Sequence, residues 1–332
     1  MLRRSVRSAL LAILAAGLLV AGCGGSNPSG RPVQDASLVL DFTPNAIHAG
    51  VYAAIAHRYD RDQGTVLRVI APTASTDSVK LLATGRATFA ILDIHDLAIA
   101  RERGADIVGI MAIVERPLAA VIAAPAVGSP RELDGKLVGV TGAASDYAVL
   151  RSIVAGAGGD VHKLATITIG FNAVPALLSG RVAAATGFWN DEGVTLAHDD
   201  PGFHVFLVDD YGAPSYPELV LCATSSTLRD HRGLAQAVVS ALVRGYALTR
   251  ADPAQAEHDL ESLVPGLDPK LVAEQLQAEL PALVAPDGRI GELNPAALRA
   301  WARWEASFGI VHRPPNVDAA FDPSIVAHAG DS

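Results

Sequence analysis

Short apolar runs alternate along this chain with stretches whose apolar positions recur every three or four residues. Leu38-Val39-Leu40 reads as a buried strand, and Ile47, Val51, Ile55 and Tyr59 then repeat at helical spacing. Between them lies the polar loop Asp41-Phe42-Thr43-Pro44-Asn45, in which Pro44 keeps Thr43 out of helical geometry. The same grammar continues. Val66–Ile70 predicts a strand, Ser75-Thr76-Asp77 a helix start and Gly85 its end. Thr88–Leu92 predicts a strand that runs into Asp93-Ile94-His95-Asp96, and Ile107–Val114 another.

A second series starts at Leu137–Val140, followed by the small-residue loop Thr141–Ser145 and a helix in which Tyr147, Leu150 and Val154 share a face. Thr166–Ile169 leads to Gly170-Phe171-Asn172, and Leu177–Arg181 echoes Leu81–Arg86. The next loop is Phe188-Trp189-Asn190-Asp191-Glu192, and His204–Val208 ends at Asp209-Asp210-Tyr211. Leu118–Ala124 and Glu218–Ala223 are apolar runs placed to carry the chain between two lobes. From Leu228 onward the pattern is helical and completes the first lobe, with Trp301 and Trp304 as core residues. The fold class is therefore α/β in two lobes, with polar loops at strand ends around a shared cleft. Its divisions are residues 36–118 with 220–332 for the first lobe and 119–219 for the second.

The first 22 residues belong to neither lobe. Arg3, Arg4 and Arg7 precede an apolar run from Ala9 to Val20 that is short for a membrane span. Leu19-Val20-Ala21-Gly22-Cys23 resembles a bacterial lipobox, which implies acylation of Cys23, with a plain secretory leader as the rival. Residues 23–35 then form a Gly/Ser/Pro-bearing tether. The formal charge is −9, and removing the three leader arginines takes it to −12. That balance argues against nucleic acid as a partner. Besides Cys23 the only cysteine is Cys222, so a lipidated chain has no pair for a disulfide, and no metal-binding spacing occurs. Nucleophile, P-loop and zinc-protease motifs are absent too. No cofactor and no metal are expected.

Asp-Phe-Thr-Pro-Asn-x-x-His-Ala-Gly-x-Tyr, residues 41–52, resembles the opening signature of the extracytoplasmic binding proteins for thiamine's pyrimidine precursors. Relatives commonly have Asp-Trp where this chain has Asp41-Phe42. The resemblance extends from about Ser37 through Tyr216 and more weakly to the C-terminus. It implies the type II periplasmic-binding-protein fold, with a ligand cleft between lobes and closure about a hinge. It also implies a lipid-anchored, extracytoplasmic monomer that passes a planar nitrogen heterocycle to an ABC permease. Riboflavin and a sulfonate are alternative ligands. The family also includes pyrimidine-synthesising enzymes, so an enzyme on the same fold, from pyrimidine synthesis or the menaquinone pathway, is the rival of another class. The absence of a cysteine cluster and the leader weigh against it.

Seven of the 17 aromatics fall in or beside the cleft loops, namely Phe42, Tyr52, Tyr147, Phe171, Phe188, Trp189 and Tyr211. Such rings sandwich planar ligands, and they also plug interlobe cores. Asp41, Asn45, Asn190 and Glu192 supply the acceptors and the two-way amides that orient a heterocycle. Family members use a Glu near position 192 on the pyrimidine amine; a helix-start carboxylate is the plainer reading. Trp189 is expected to stack on or flank the ring. The ligand-binding set is completed by His48, Asp93, His95, Ser145 and Asn172. Asp146 at a helix start disfavours an anion, and Arg116 is the one basic residue expected near the cleft, where Glu115 is its competing partner.

Overall fold

A computed structural model describes residues 33–329. The leader, the tether as far as residue 32, and Cys23 lie outside the described residues.

Ten strands form two five-stranded sheets among these residues. The first contains β1 (Gln34–Val39), β2 (Thr65–Ile70), β3 (Phe89–Asp93) and β4 (Ile107–Ala112). The second contains β5 (Ala119–Ala123), β6 (Leu137–Val140), β7 (Ala165–Thr168), β8 (Ala184–Phe188) and β9 (His204–Leu207). β10 (Leu219–Thr224) returns to the first sheet. The orders are β2-β1-β3-β10-β4 and β7-β6-β8-β5-β9, so the two sheets share one plan. In each, three parallel strands meet an antiparallel fourth. That fourth strand is the one the chain lays down just after crossing between sheets. β3, β4 and β10 of the first sheet are buried along nearly their whole length, as their continuous Val/Ile/Leu/Ala runs require.

The two crossings are fastened together. Each carries a proline, Pro117 or Pro217, and Glu218 Oε2 accepts the N–H of Leu118 at 2.7 Å and of Ala119 at 2.9 Å. Glu218 is fully buried.

The first helix departs from its sequence pattern. A 3₁₀ turn, Ala46–His48, leads into Ala49–Ala56, and a second short helix, Tyr59–Asp62, follows Arg58 at φ 60°. Ala49 through Ala54 are buried on every side, so this is a core helix and not an amphipathic one. It lies against the helix Arg232–Ala251. Two glycines set the approach. A Cβ on Gly245 would sit 1.9 Å from the Gly50 carbonyl oxygen, and one on Gly50 would sit 2.4 Å from the Tyr246 ring. Tyr246 also donates to the Ile47 carbonyl at 2.9 Å, locking the turn that precedes the helix.

At the other end of the chain, Trp301 and Trp304 in Pro295–Ser307 are buried, as expected of core residues. Phe321 packs on Trp301 edge to face and bridges to Gly109 of β4.

Gly245→Ala forces backbone against side chain at this crossing. It should cost about 1–3 kcal/mol of unfolding free energy, read as a lower urea midpoint with the m-value unchanged. A midpoint equal to wild type would show that the two helices separate freely.

Candidate functional site

The loops at the strand ends of both sheets enclose a cleft of about 890 Å³, its open mouth included. Each loop is held from behind before it offers anything to the cleft. In Asp41–Asn45 the Asn45 side chain accepts the Ile47 N–H at 3.1 Å, and the Asn45 N–H donates to His48 Nδ1 at 3.3 Å. With Nδ1 accepting, Nε2 carries the proton and donates to Asp41 Oδ1 at 2.9 Å. His48 thus aims Asp41 into the cleft while being wholly buried itself.

After β3, Asp93 caps the helix Ile94–Glu102 by accepting the His95 N–H at 2.7 Å. Asp93 and Asp96, three apart on one helical face, both line the cleft. After β6 the helix Ala144–Gly156 brings Ser145 and Asp146; Asp146 Oδ2 accepts from Thr141 Oγ1 at 2.6 Å and the Gly142 N–H at 3.1 Å.

After β8 the chain makes a π-helical turn, Trp189–Gly193, whose consecutive side chains are spent in different directions. Trp189 Nε1 donates to the Pro117 carbonyl at 2.9 Å, in the crossing. Asn190 Nδ2 donates to Glu279 Oε2 at 2.9 Å. Asp191 accepts from Asn45 Nδ2 at 2.7 Å and from Gln275 Nε2. Glu192 folds back so that Oε2 accepts the Phe188 N–H at 2.9 Å, and it borders the cleft. Phe42 and Phe171, one from each lobe, meet at a centroid distance of 4.4 Å and an interplanar angle of 65°. With Asn45, Asp191 and Glu192 they wall the cleft off from a second pocket beside Leu267–Gln275.

The electrostatics have one sign. Six acidic residues line the cleft (Asp41, Asp93, Asp96, Asp146, Asp191 and Glu192), and no lysine, arginine or histidine does among the described residues. Burial, with Asp191 adding to it, pushes the Glu192 carboxyl up to about 8. Burial and the facing Asp146 push Asp96 up to about 6. Burial likewise raises Asp146, Asp191 and, most of all, Asp93. The cleft therefore stores protons and offers acceptors.

Residues 45–256 match the NMT1/THI5-like family. The chain belongs to that family. The formylaminopyrimidine-binding protein of Halalkalibacterium halodurans is 27% identical over 321 residues, which cover 94% of this chain and 97% of that one. The 4-amino-5-hydroxymethyl-2-methylpyrimidine phosphate synthase of Legionella pneumophila is 24% identical over 251 residues, 74% of this chain and 78% of that one. Among solved structures, the alkanesulfonate-binding protein SsuA from Xanthomonas axonopodis pv. citri bound to MOPS superposes with a TM-score of 0.71 at 16% identity, covering 89% of this chain and all of that one. That likeness is one of fold, the two-lobe α/β fold of periplasmic binding proteins.

Of the residues expected at the site, Asp41, Phe42, Asn45, Asp93, Ser145, Phe171, Asn190 and Glu192 line the cleft together. The others do not. His48 is a loop clamp, and Tyr52 is buried in the first lobe's core, its hydroxyl pushed up to about 12 by that burial. His95 is fully buried among Tyr216, Glu305 and Trp301, with Nε2 3.0 Å from the Tyr216 hydroxyl. Tyr147 is 40% exposed outside the cleft. Asn172 donates to its own loop at Ile169 O. Tyr211 packs on Phe206 and against Gly156.

Trp189 does not line the cleft either. Its indole lies in the crossing under the Arg116 guanidinium, 5.2 Å from it, and Arg116 pairs with Asp209 and not with Glu115 or the cleft. Asp96, Asp146, Asp191, Thr141, Thr186 and Phe188 are among the other lining residues. Of these, Asp96 had a signal in its three-residue spacing from Asp93.

Because the folded cleft keeps protons that the unfolded chain releases, stability falls as pH rises through the window from the ordinary carboxyl value of 4.5 to about 8. The melting temperature of ligand-free protein should be lower at pH 8 than at pH 5, and Glu192→Gln should flatten the drop. Differential scanning calorimetry at both pH values checks this. A temperature that rises with pH would overturn it.

Proposed function

We propose that this chain is the substrate-binding component of an ABC importer and that it captures an amino-bearing pyrimidine of the thiamine-precursor class. One observation carries the reading. The cleft joins phenylalanine rings from both lobes to a lining of carboxyl groups with no basic residue among the described residues. Flat apolar walls suit a planar ring, and carboxyl groups suit its amino group, as acceptors once ionised, and its ring nitrogens, as donors while protonated. The Halalkalibacterium relative, matched over nearly both whole chains, is named for binding a ligand of this chemistry.

A sulfonate is the ligand this lining fits least. It would be placed among six acids without a cation to receive it. The pyrimidine phosphate synthase relative is the enzyme-class alternative, and its product is also a phosphate. Phosphate recognition calls for Arg, Lys or unobstructed helix N-termini, whereas the helices Ile94–Glu102 and Ala144–Gly156 each carry an aspartate where they start at this cleft.

Glu192 is the residue assigned to the ring's amino group, and binding would draw its carboxyl into the ionised form. Glu192→Gln removes one charge-assisted hydrogen bond in a dry site. Affinity for 4-amino-5-hydroxymethyl-2-methylpyrimidine should fall by about 1.5–3 kcal/mol, about one to two decades. Isothermal titration of wild type and variant with this pyrimidine, riboflavin and an alkanesulfonate decides. Tight sulfonate binding without a response to the pyrimidine would refute the reading.

The delivery role places the protein outside the cytoplasm, held by lipid on Cys23 as a monomer beside its permease. Two acyl chains anchor stably where one does not. Cys23→Ser should therefore move the protein from the membrane fraction to the soluble one. Wild-type protein found soluble with residues 1–22 intact would remove the anchor and revive the enzyme alternative.

A further inference from the structure

Asn190 and Glu279 meet across the lobe boundary. Asn190 belongs to the π-helical turn of the second lobe and lines the cleft, whereas Glu279 ends the helix Pro269–Glu279 of the first lobe and stands behind it. Both are buried, Glu279 completely. Asn190 Nδ2 donates to Glu279 Oε2 at 2.9 Å, and there the pairing stops. Asn190 Oδ1 and Glu279 Oε1 are buried too, and neither has a hydrogen bond. An amide and a carboxyl group joined at one edge are a single proton short of a second bond. With that proton on Oε1, the carboxyl donates to Oδ1 while Oε2 goes on accepting, and both stranded oxygens are satisfied at once.

The surroundings offer Glu279 no cation. The elements packed against its helix bring Asp191 and Glu192 from the π-helical turn, His48 from the 3₁₀ turn, Asp259 from the helix Pro253–Leu263 and His198 from Val194–Asp199. His48 is spent on Asp41, His198 on Glu274, and Asp259 on His57. Tyr246 is near enough to feel a charge on Glu279, yet its hydroxyl donates to the Ile47 carbonyl. Burial, and after it the charge of Asp191, opposes ionisation of Glu279.

We propose that Glu279 makes this contact as a neutral carboxylic acid, accepting from Asn190 Nδ2 and donating from Oε1 to Asn190 Oδ1, so that it positions Asn190 at the cleft and joining the lobes here takes up one proton. The proton comes from solvent, because separating the pair returns the carboxyl to water and to its ordinary ionised form at neutral pH. Closure through this pair is fully supported below the ordinary carboxyl value of 4.5 and loses that support as pH rises through the raised one. None of this depends on which ligand the cleft takes.

Glutamine carries the same hydrogen pattern permanently, with Nε2 donating in place of the protonated oxygen. Differential scanning calorimetry of the full mature chain without ligand, at pH 5 and pH 8, compares wild type with Glu279→Gln and Glu279→Met. Taking the difference between proteins at each pH removes the contribution of the cleft acids. Glu279→Gln should melt within about 2 °C of wild type at pH 5 and about 4 °C or more above it at pH 8. Glu279→Met, of similar length without either polar group, should melt below Glu279→Gln at both pH values or fail to fold. Small-angle scattering at pH 8 should find Glu279→Gln more compact than wild type. A Gln variant that melts below wild type at both pH values, or does not fold, shows that the contact needs an ionised Glu279 and overturns the acid–amide pair. Gln and Met variants that melt alike overturn the donation to Asn190. Equal radii of gyration at pH 8 overturn the link to closure.

Discussion

The two lobes depend on the carboxyl group of Glu218. Its Oε2 takes the N–H groups of Leu118 and Ala119, which belong to the opposite crossing, and its own carbonyl takes the Ile94 N–H at 2.8 Å. One buried residue thereby ties both connections and the start of the helix that presents Asp93 and Asp96. Its Oε1 lies 3.4 Å from His95 Nε2, and His95 in turn binds Glu305 of the C-terminal helix Pro295–Ser307. Although burial opposes its charge, the carboxylates of Glu305 and Asp93 hold His95 well above its ordinary pKa. His95 is thereby committed to the crossing and the C-terminal helix. A histidine so committed cannot also serve a ligand, and the cleft keeps a single sign of charge.

Much of this was legible in the sequence because two-lobe α/β proteins repeat a simple grammar. Strand runs such as Val66–Ile70 and Leu137–Val140, the glycine stops after Leu82 and Leu178, and the two apolar crossings all have local causes. The common plan of the two sheets was foreshadowed in the echo between Leu81–Arg86 and Leu177–Arg181. The first helix read as amphipathic because its Ile/Val/Tyr stripe is real, but the alanines and glycine between those positions are small enough to be buried as well. Only the packing of Gly50 on Tyr246 and of Gly245 on the Gly50 backbone reveals that.

Side-chain direction was the part that position along the chain could not give. Successive helical residues are rotated by about 100°, so not every residue at a helix start can face the cleft. Asp93 and Asp96 do, while His95 between them points to the core. Ser145 and Asp146 do, while Tyr147 turns to solvent. A count of aromatics near strand ends therefore overstates the stacking surface. Phe42, Phe171 and Phe188 remain, and Tyr52, Tyr147, Trp189 and Tyr211 serve the core, the crossing or the surface.

The π-helical turn after β8 connects the two lobes at the edge of the cleft. Trp189, Asn190 and Asp191 reach the crossing or the first lobe, through Pro117, Glu279, Asn45 and Gln275, while the next residue, Glu192, borders the cleft. A regular α-helix would rotate four such neighbours around its whole circumference; in the wider turn Asn190 and Asp191 reach the first lobe, Trp189 the crossing and Glu192 the cleft. The contacts they make are incompletely paired. Asn190 Oδ1 and Glu279 Oε1 are buried without hydrogen bonds, and burial raises the Glu279 carboxyl far above its ordinary range. Buried acceptors without donors and facing carboxyl groups both cost free energy. A donor-rich ligand removes the second of these costs by sitting among the acids. In this reading, the energy that shuts the lobes comes largely from the molecule between them.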